Sequence, residues 1–262
     1  MSKYGLAVDI GNTNTVFGLY SHGKPEILRS WRTVTHRDRT SDELGIFLNG
    51  FLQSSGIPVS SIEHFIYSSV VPSFNPIVEK MVRDYYETEP LRVHFELPLP
   101  LKFLYPRPYE IGPDRIVNAV AASKIYGGDL IIIDLGTATT FCVVHGDEYL
   151  GGSIAPGLKL SMEALSRRAA MLPPIEFACP PSGVLGDSTI HSIQSGFFFG
   201  WIGMLREIID QFRQREPDRD YRVIATGGLA TMIQSKRALF DEVDGLLTLR
   251  GLQIIHEHLA GI

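Results

Sequence analysis

The stretch Leu6-Ala7-Val8-Asp9-Ile10-Gly11-Asn12-Thr13-Asn14-Thr15-Val16-Phe17-Gly18-Leu19-Tyr20 decides the fold. An apolar run ends on a carboxylate, turns through glycine and small polar residues, and re-enters an apolar run. That is the pattern of a β-hairpin whose turn presents amides and hydroxyls, and such a turn can face a phosphate. Asp9 stands where the first strand ends, and burying it without a cation or polar ligand would be costly. Taken alone, the stretch reads equally well as an ordinary hairpin with polar turn chemistry.

A second copy changes the balance. In Leu130-Ile131-Ile132-Ile133-Asp134-Leu135-Gly136-Thr137-Ala138-Thr139-Thr140-Phe141-Cys142-Val143-Val144, the residues Asp9, Gly11 and Thr15 recur at one constant offset as Asp134, Gly136 and Thr140. Two strand–Asp–turn–strand units about a domain length apart predict a duplicated α/β chain of two similar lobes, each offering an acidic turn to a shared cleft.

Composition bounds the function. The 262 residues suffice for a large core, and 44% hydrophobic with 20% charged residues describes a compact globular chain rather than a disordered one. A net charge of −5 and no Lys/Arg stripe argue against a nucleic-acid footprint. The two cysteines, Cys142 and Cys179, form no C-x-x-C pair, so a disulfide framework or thiolate zinc site is not expected and a reduced cytoplasm fits. No apolar run reaches membrane-spanning length, and no membrane or secretory segment is expected.

Around the first hairpin, Ile27 to Thr33 reads as a third strand. A helix follows from Thr40-Ser41-Asp42-Glu43 through Leu52, with Ser41 or Asp42 as its cap. Phe65 to Val71 is a buried strand and Phe74 to Tyr86 a helix. From Glu89 to Pro113, six prolines among extended apolar residues forbid a helix. Pro113 then opens a helix through Tyr126, where a first-turn proline costs no hydrogen bond. Beyond the second hairpin come helices at Leu158 to Met171 and Thr189 to about Gln214, and a strand entering a glycine turn at Arg222 to Ala230. Phe197 to Leu205 is apolar around most of the helix circumference, which calls for cover on more than one side, by the chain's own core or, as the short two-lobed chain favours, by a partner subunit. His256-Glu257-His258, on a C-terminal amphipathic helix, reads as a solvated face rather than a metal site.

No Walker A lysine motif, no spaced G-x-G-x-x-G and no G-x-S-x-G elbow is present. What remains are strand-to-glycine turns at Gly11, Gly136 and Gly227-Gly228, with the carboxylates Asp9, Asp114 and Asp134. That inventory suits phosphoryl transfer: amides and hydroxyls hold phosphate oxygens, carboxylates hold cations, and one carboxylate orients the attacking hydroxyl.

The duplicated units and the Thr226-Gly227-Gly228 turn resemble the actin, Hsp70 and sugar-kinase superfamily of two RNase H-like lobes closing over MgATP. More narrowly, six motifs occur in the order of type III pantothenate kinases. They are Asp9-Ile10-Gly11-Asn12-Thr13, Ser69-Val70-Val71-Pro72, Gly112-Pro113-Asp114-Arg115-Ile116-Val117-Asn118-Ala119, Asp134-Leu135-Gly136-Thr137-Ala138, Ala155-Pro156-Gly157 and Thr226-Gly227-Gly228-Leu229. The resemblance implies an actin-like ATPase fold with lobes 1–113, binding phosphate, and 114–262, serving substrate, cation and dimerisation. It implies ATP-dependent phosphorylation of pantothenate, the opening step of coenzyme A synthesis, by a cytoplasmic homodimer using Mg²⁺ and a monovalent cation, K⁺ or NH₄⁺.

By position, the resemblance assigns Asp9, Ile10, Gly11, Asn12, Thr13, Asn14, Thr15 and Val16 to the triphosphate, assisted by Thr137. Asp134 matches the monovalent-cation ligand and Asp114 the catalytic carboxylate. Tyr105, Gly112, Pro113, Asp114, Arg115 and Thr189 match pantothenate contacts, Arg115 being suited to a carboxylate. Without the resemblance, Asp114 would be a first-turn acid complementing a helix dipole and Arg115 a surface ion pair. Pro113 stands where the family has alanine and Ser188 where it has asparagine, which bears on substrate contacts more than on phosphoryl chemistry. The alternatives are another small-molecule kinase of the superfamily, or a non-enzymatic regulator like the Bvg accessory factors.

Overall fold

The computed structural model describes residues 3–24 and 26–261. The chain begins β1 (Tyr4–Ile10), β2 (Asn14–Ser21), β3 (Ile27–Val34), α1 (Ser41–Ser54), β4 (Ile62–Ser69) and α2 (Asn75–Tyr86). Two-residue strands β5 (Leu91–Arg92) and β6 (Lys102–Phe103) punctuate the proline-rich stretch, and α3 (Pro113–Tyr126) follows. The second half runs β7 (Asp129–Leu135), β8 (Ala138–His145), β9 (Glu148–Pro156), α4 (Leu158–Arg168), α5 (Thr189–Arg215), β10 (Arg222–Thr226), α6 (Ala230–Lys236), β11 (Glu242–Val243) and α7 (Leu247–Ala260).

Contacts divide the chain into two compact units. One is Met1–Tyr126 with Asp147–Tyr149 and Leu246–Ile262; the other is Gly127–Gly146 with Leu150–Gly245. The first unit thus runs through Tyr126 and takes in α3 and α7, which pack with its sheet.

That sheet is ordered β3-β2-β1-β4-β5, with β1 antiparallel to β2 and parallel to β4. Alternation along β1 sends Leu6, Val8 and Ile10 to one face, where they join Leu44, Leu48 and Leu52 of α1 and Val78, Met81 and Val82 of α2 in a closed core. The other face carries Gly5, Ala7 and Asp9 of β1 and is covered by α7, which itself packs on α3. Gly251 of α7 makes this approach possible, because a Cβ there would lie 2.3 Å from the Val117 carbonyl oxygen of α3.

The other sheet is ordered β11-β10-β7-β8-β9-β6. In the second unit, Ile131, Ile133 and Leu135 of β7 pack with Phe141, Trp201, Leu205 and Ile209. The duplication is visible in burial. Along β1 and β7 the order of buried and partly buried positions is identical, and so it is along β2 and β8.

Three local expectations are corrected. The ladder pairs Ile10 with Thr15 but Leu135 with Thr139, so the second turn is one residue shorter and Thr139, not Thr140, is the counterpart of Thr15. The cap of α1 is Thr40 rather than Ser41 or Asp42: its hydroxyl accepts from the Glu43 amide while the Glu43 carboxylate accepts from the Thr40 amide. Helix α4 ends at Arg168, short of Met171.

Candidate active site

In the first unit the site grows from the end of β1. Register aligns Arg32 of β3, Val16 of β2, Asp9 of β1 and Ser68 of β4 in one row across the sheet. The Ser68 hydroxyl donates to Asp9 Oδ1 at 2.7 Å. Burial raises the Asp9 pKa to about 6, against the lowering effect of Ser68; the nearby Asp114 charge raises it further and Arg32 lowers it.

The turn after Asp9 is stitched to the segment leaving β3. Thr35 Oγ1 donates to the Gly11 carbonyl at 2.8 Å, lies 2.9 Å from Thr15 Oγ1, and the Thr35 amide donates to Thr13 O at 3.0 Å. Arg37 Nη2 donates to Asn12 Oδ1 at 3.0 Å. Asn12 and Thr13 are exposed at the tip, Gly11 and Asn14 are partly buried, and Val16 is partly buried on β2. Ile10 and Thr15 are buried, so their side chains serve the core and the Thr35 network.

Asp114 stands in the first turn of α3. Its Oδ1 accepts from the Arg115 amide at 2.8 Å. Burial raises its pKa, opposed by that backbone bond and by the Arg115 charge. Gly112 leaves room for the carboxylate, since a Cβ there would lie 2.6 Å from Asp114 Oδ1. Pro113 is the first residue of α3, the position that tolerates a missing N–H. The Arg115 guanidinium carbon lies 6.0 Å from the centre of the Tyr149 ring, and Tyr105 meets the same ring edge-on at 6.4 Å.

The second unit builds a parallel constellation. Asp134 pairs in the ladder with Thr226 of β10. At Gly227, with φ of +92°, a Cβ would lie 2.7 Å from the Leu135 backbone, so the glycine turn closes directly against the Asp134 strand. Thr137 is exposed, and its carbonyl accepts from the Gly157 amide at 3.0 Å. Thr189 opens α5, which is capped by the Ser188 hydroxyl accepting from the His191 amide at 3.2 Å. Thr189 lines a groove of about 710 Å³ with Met171, Leu172, Pro173, Ser188 and Ile190.

Among the described residues no three His, Cys, Asp or Glu side chains converge to hold a metal. A Mg²⁺ that keeps waters and phosphate oxygens needs only one or two carboxylates. Asp9 fits that requirement, with one oxygen bonded to Ser68 and a charge that its burial leaves poorly compensated.

Ser68, Thr35, Arg37 and Tyr149 were not singled out in the sequence. Ser68 carried the one available signal, a hydroxyl inside an apolar strand.

A family model described as type III pantothenate kinase matches residues 5–211. The chain belongs to the type III pantothenate kinase family. It is therefore an ATP-dependent kinase that phosphorylates pantothenate in coenzyme A synthesis. Solved structures agree on the fold of this kinase. The "conserved putative Baf family transcriptional activator from Campylobacter jejuni" is 18% identical with a TM-score of 0.61, covering 98% of this chain and 100% of that one. The ethanolamine utilization protein EutJ from Carboxydothermus hydrogenoformans is 13% identical with a TM-score of 0.56, covering 97% and 90%. The "Putative N-acetylglucosamine Kinase" from Porphyromonas gingivalis is 16% identical with a TM-score of 0.50, covering 98% and 99%. The kinase thus shares its two-sheet α/β fold with these structures. Among its described residues no helix is long and apolar enough to cross a membrane.

Proposed function

We propose that Asp114 is the general base of the kinase. The primary hydroxyl oxygen of pantothenate attacks the γ-phosphorus of ATP, the bond from that phosphorus to the bridging oxygen breaks with its electron pair leaving on ADP, and the hydroxyl proton passes to Asp114. The observation that carries this reading is the pairing of Asp114 with Asp9. Both carboxyls are raised in pKa by burial, and the charge of Asp114 raises that of Asp9 further. A base poised nearer neutrality than a free aspartate accepts a proton more effectively.

The other roles follow from the same reading. Residues Asp9 to Val16 hold the triphosphate, with Thr137 assisting. Asp9 holds Mg²⁺, which when bound supplies charge neutralisation at the phosphates. Tyr105, Gly112, Pro113, Arg115 and Thr189 contact pantothenate, with the Arg115 guanidinium matched to its carboxylate. Asp134 is the ligand of a monovalent cation, K⁺ or NH₄⁺. In this division 1–113 serves phosphate binding and 114–262 substrate, cation and dimerisation.

The kinase works as a homodimer through α5 and its surroundings. In support, Met171, Val184, Leu185 and Ile190 leave large apolar side chains exposed in the second unit. A cytoplasmic site of action fits two cysteines that form no disulfide, buried Cys142 and exposed Cys179.

A coupled assay with pantothenate, MgATP and KCl tests the reading, with light scattering for the dimer. ADP release dependent on pantothenate and increased by K⁺ or NH₄⁺ is expected. Transfer to sugars or other hydroxy acids with pantothenate ignored would contradict it.

A further inference from the structure

The edge strand β3 brings a cation to the Asp9 side of the first sheet. Register places Arg32 opposite Val16, and Val16 opposite Asp9. Residues paired across a sheet share a face, and neighbours along a strand alternate. Trp31, one residue before Arg32, stacks on Phe51 of α1 with ring centres 5.8 Å apart and planes 9° apart, so the α1 side is the opposite one. Arg32 therefore projects from the same face as Asp9, two strands away across Val16. Its place relative to the phosphate turn is set three residues later, where the hydroxyl and amide of Thr35 donate to the carbonyls of Gly11 and Thr13.

The fold itself makes no use of this guanidinium. Four arginines lie between residues 29 and 39, and three of them have a partner. Arg29 Nη1 donates to the Leu28 carbonyl, Arg37 Nη2 donates to Asn12 Oδ1, and Arg39 lies 5.0 Å over the centre of the Phe47 ring. Arg32 is exposed and, among the described residues, makes no ion pair and no hydrogen bond. Its charge nevertheless reaches the buried Asp9 carboxyl.

We propose that Arg32 is a further catalytic residue of the kinase, its guanidinium binding the terminal phosphate oxygens of ATP. The inference rests on the reading that Asp9 to Val16 hold the triphosphate. A planar fork of N–H donors suits phosphate oxygens, and it carries a charge that no accessible pH removes. During transfer, the pantothenate hydroxyl oxygen bonds to the γ-phosphorus while the bond to the bridging oxygen breaks toward ADP. Negative charge then spreads over the γ-oxygens. Arg32 offsets that charge and stays protonated throughout, so the hydroxyl proton still goes to Asp114.

The test uses the full chain. Arg32→Gln should lower kcat ~100-fold or more, with the KM for pantothenate within ~3-fold of wild type. Arg32→Lys, which keeps the charge and loses the fork, should fall between the two. Arg29→Gln, three residues earlier and on the opposite face, should leave kcat unchanged. By calorimetry with Mg²⁺, Arg32→Gln should bind a non-hydrolysable ATP analogue ~10-fold more weakly and ADP within ~2-fold of wild type. A merely structural arginine would shift both nucleotides alike. An unchanged kcat in Arg32→Gln, or equal losses of affinity for the ATP analogue and ADP, would overturn the proposal. Asp9→Asn separates the two levels of the argument: analogue binding weakened by Asp9→Asn but not by Arg32→Gln overturns this inference alone, and binding unchanged in both overturns the triphosphate site as well.

Discussion

Replacing Asp9 with asparagine separates what the site needs from what the fold prefers. Asparagine keeps an oxygen to accept the Ser68 hydroxyl, now 2.7 Å from Asp9 Oδ1, and removes the charge. In the wild type the pKa moves from 3.8 to about 6, mainly because burial disfavours the charged form. The native state therefore binds this proton more tightly than the unfolded chain. Stability contributed by the group is complete below pH 3.8 and is lost as pH rises through about 6. The shift corresponds to a ceiling of about 3 kcal/mol, reduced to ~1–3 kcal/mol by the solvent contact that the group keeps. Without nucleotide or divalent cation, Asp9→Asn should be more stable than wild type by that amount at pH 7.5, and by little near pH 3, while kinase activity falls. Urea unfolding at the two pH values measures it. A gain of equal size at both pH values, or no gain at pH 7.5, would refute the reasoning.

Gly112→Ala should lower kcat ~10-fold or more with a small change in unfolding temperature, because the new Cβ would lie 2.6 Å from Asp114 Oδ1 and push the carboxylate aside. Steady-state kinetics beside thermal unfolding checks it. Asp134→Asn should weaken the dependence of activity on K⁺ or NH₄⁺, read by titrating each salt against rate. Thr40→Ala removes one half of the α1 capping box and should cost about 1 kcal/mol in urea unfolding.

Much of the fold was legible because the duplicated hairpin repeats its chemistry as well as its pattern. Asp9 and Asp134 end strands whose burial runs match position for position. The missing residue in the second turn was not legible, because Thr139 and Thr140 are identical side chains and only the ladder chooses between them. Thr40, Ser41 and Asp42 can all cap a helix; the glutamate three residues after Thr40 was the deciding signal. Ser68 became a partner of Asp9 only through parallel pairing between strands far apart in sequence. His256 was misread for a similar reason. Its helix is amphipathic, but Gly5 opens space on the sheet that draws the imidazole inward toward His22 and His64. Tyr149, between Tyr105 and Arg115, sits on a strand whose periodicity says nothing of its neighbours.

Single-turnover phosphoryl transfer by Asp114→Asn, with ATP affinity determined separately by calorimetry, probes the central claim most directly. The account predicts nucleotide binding within a few-fold of wild type and a transfer rate lower by ~100-fold or more. A near-normal rate with normal binding would mean that the proton leaves the hydroxyl by another route.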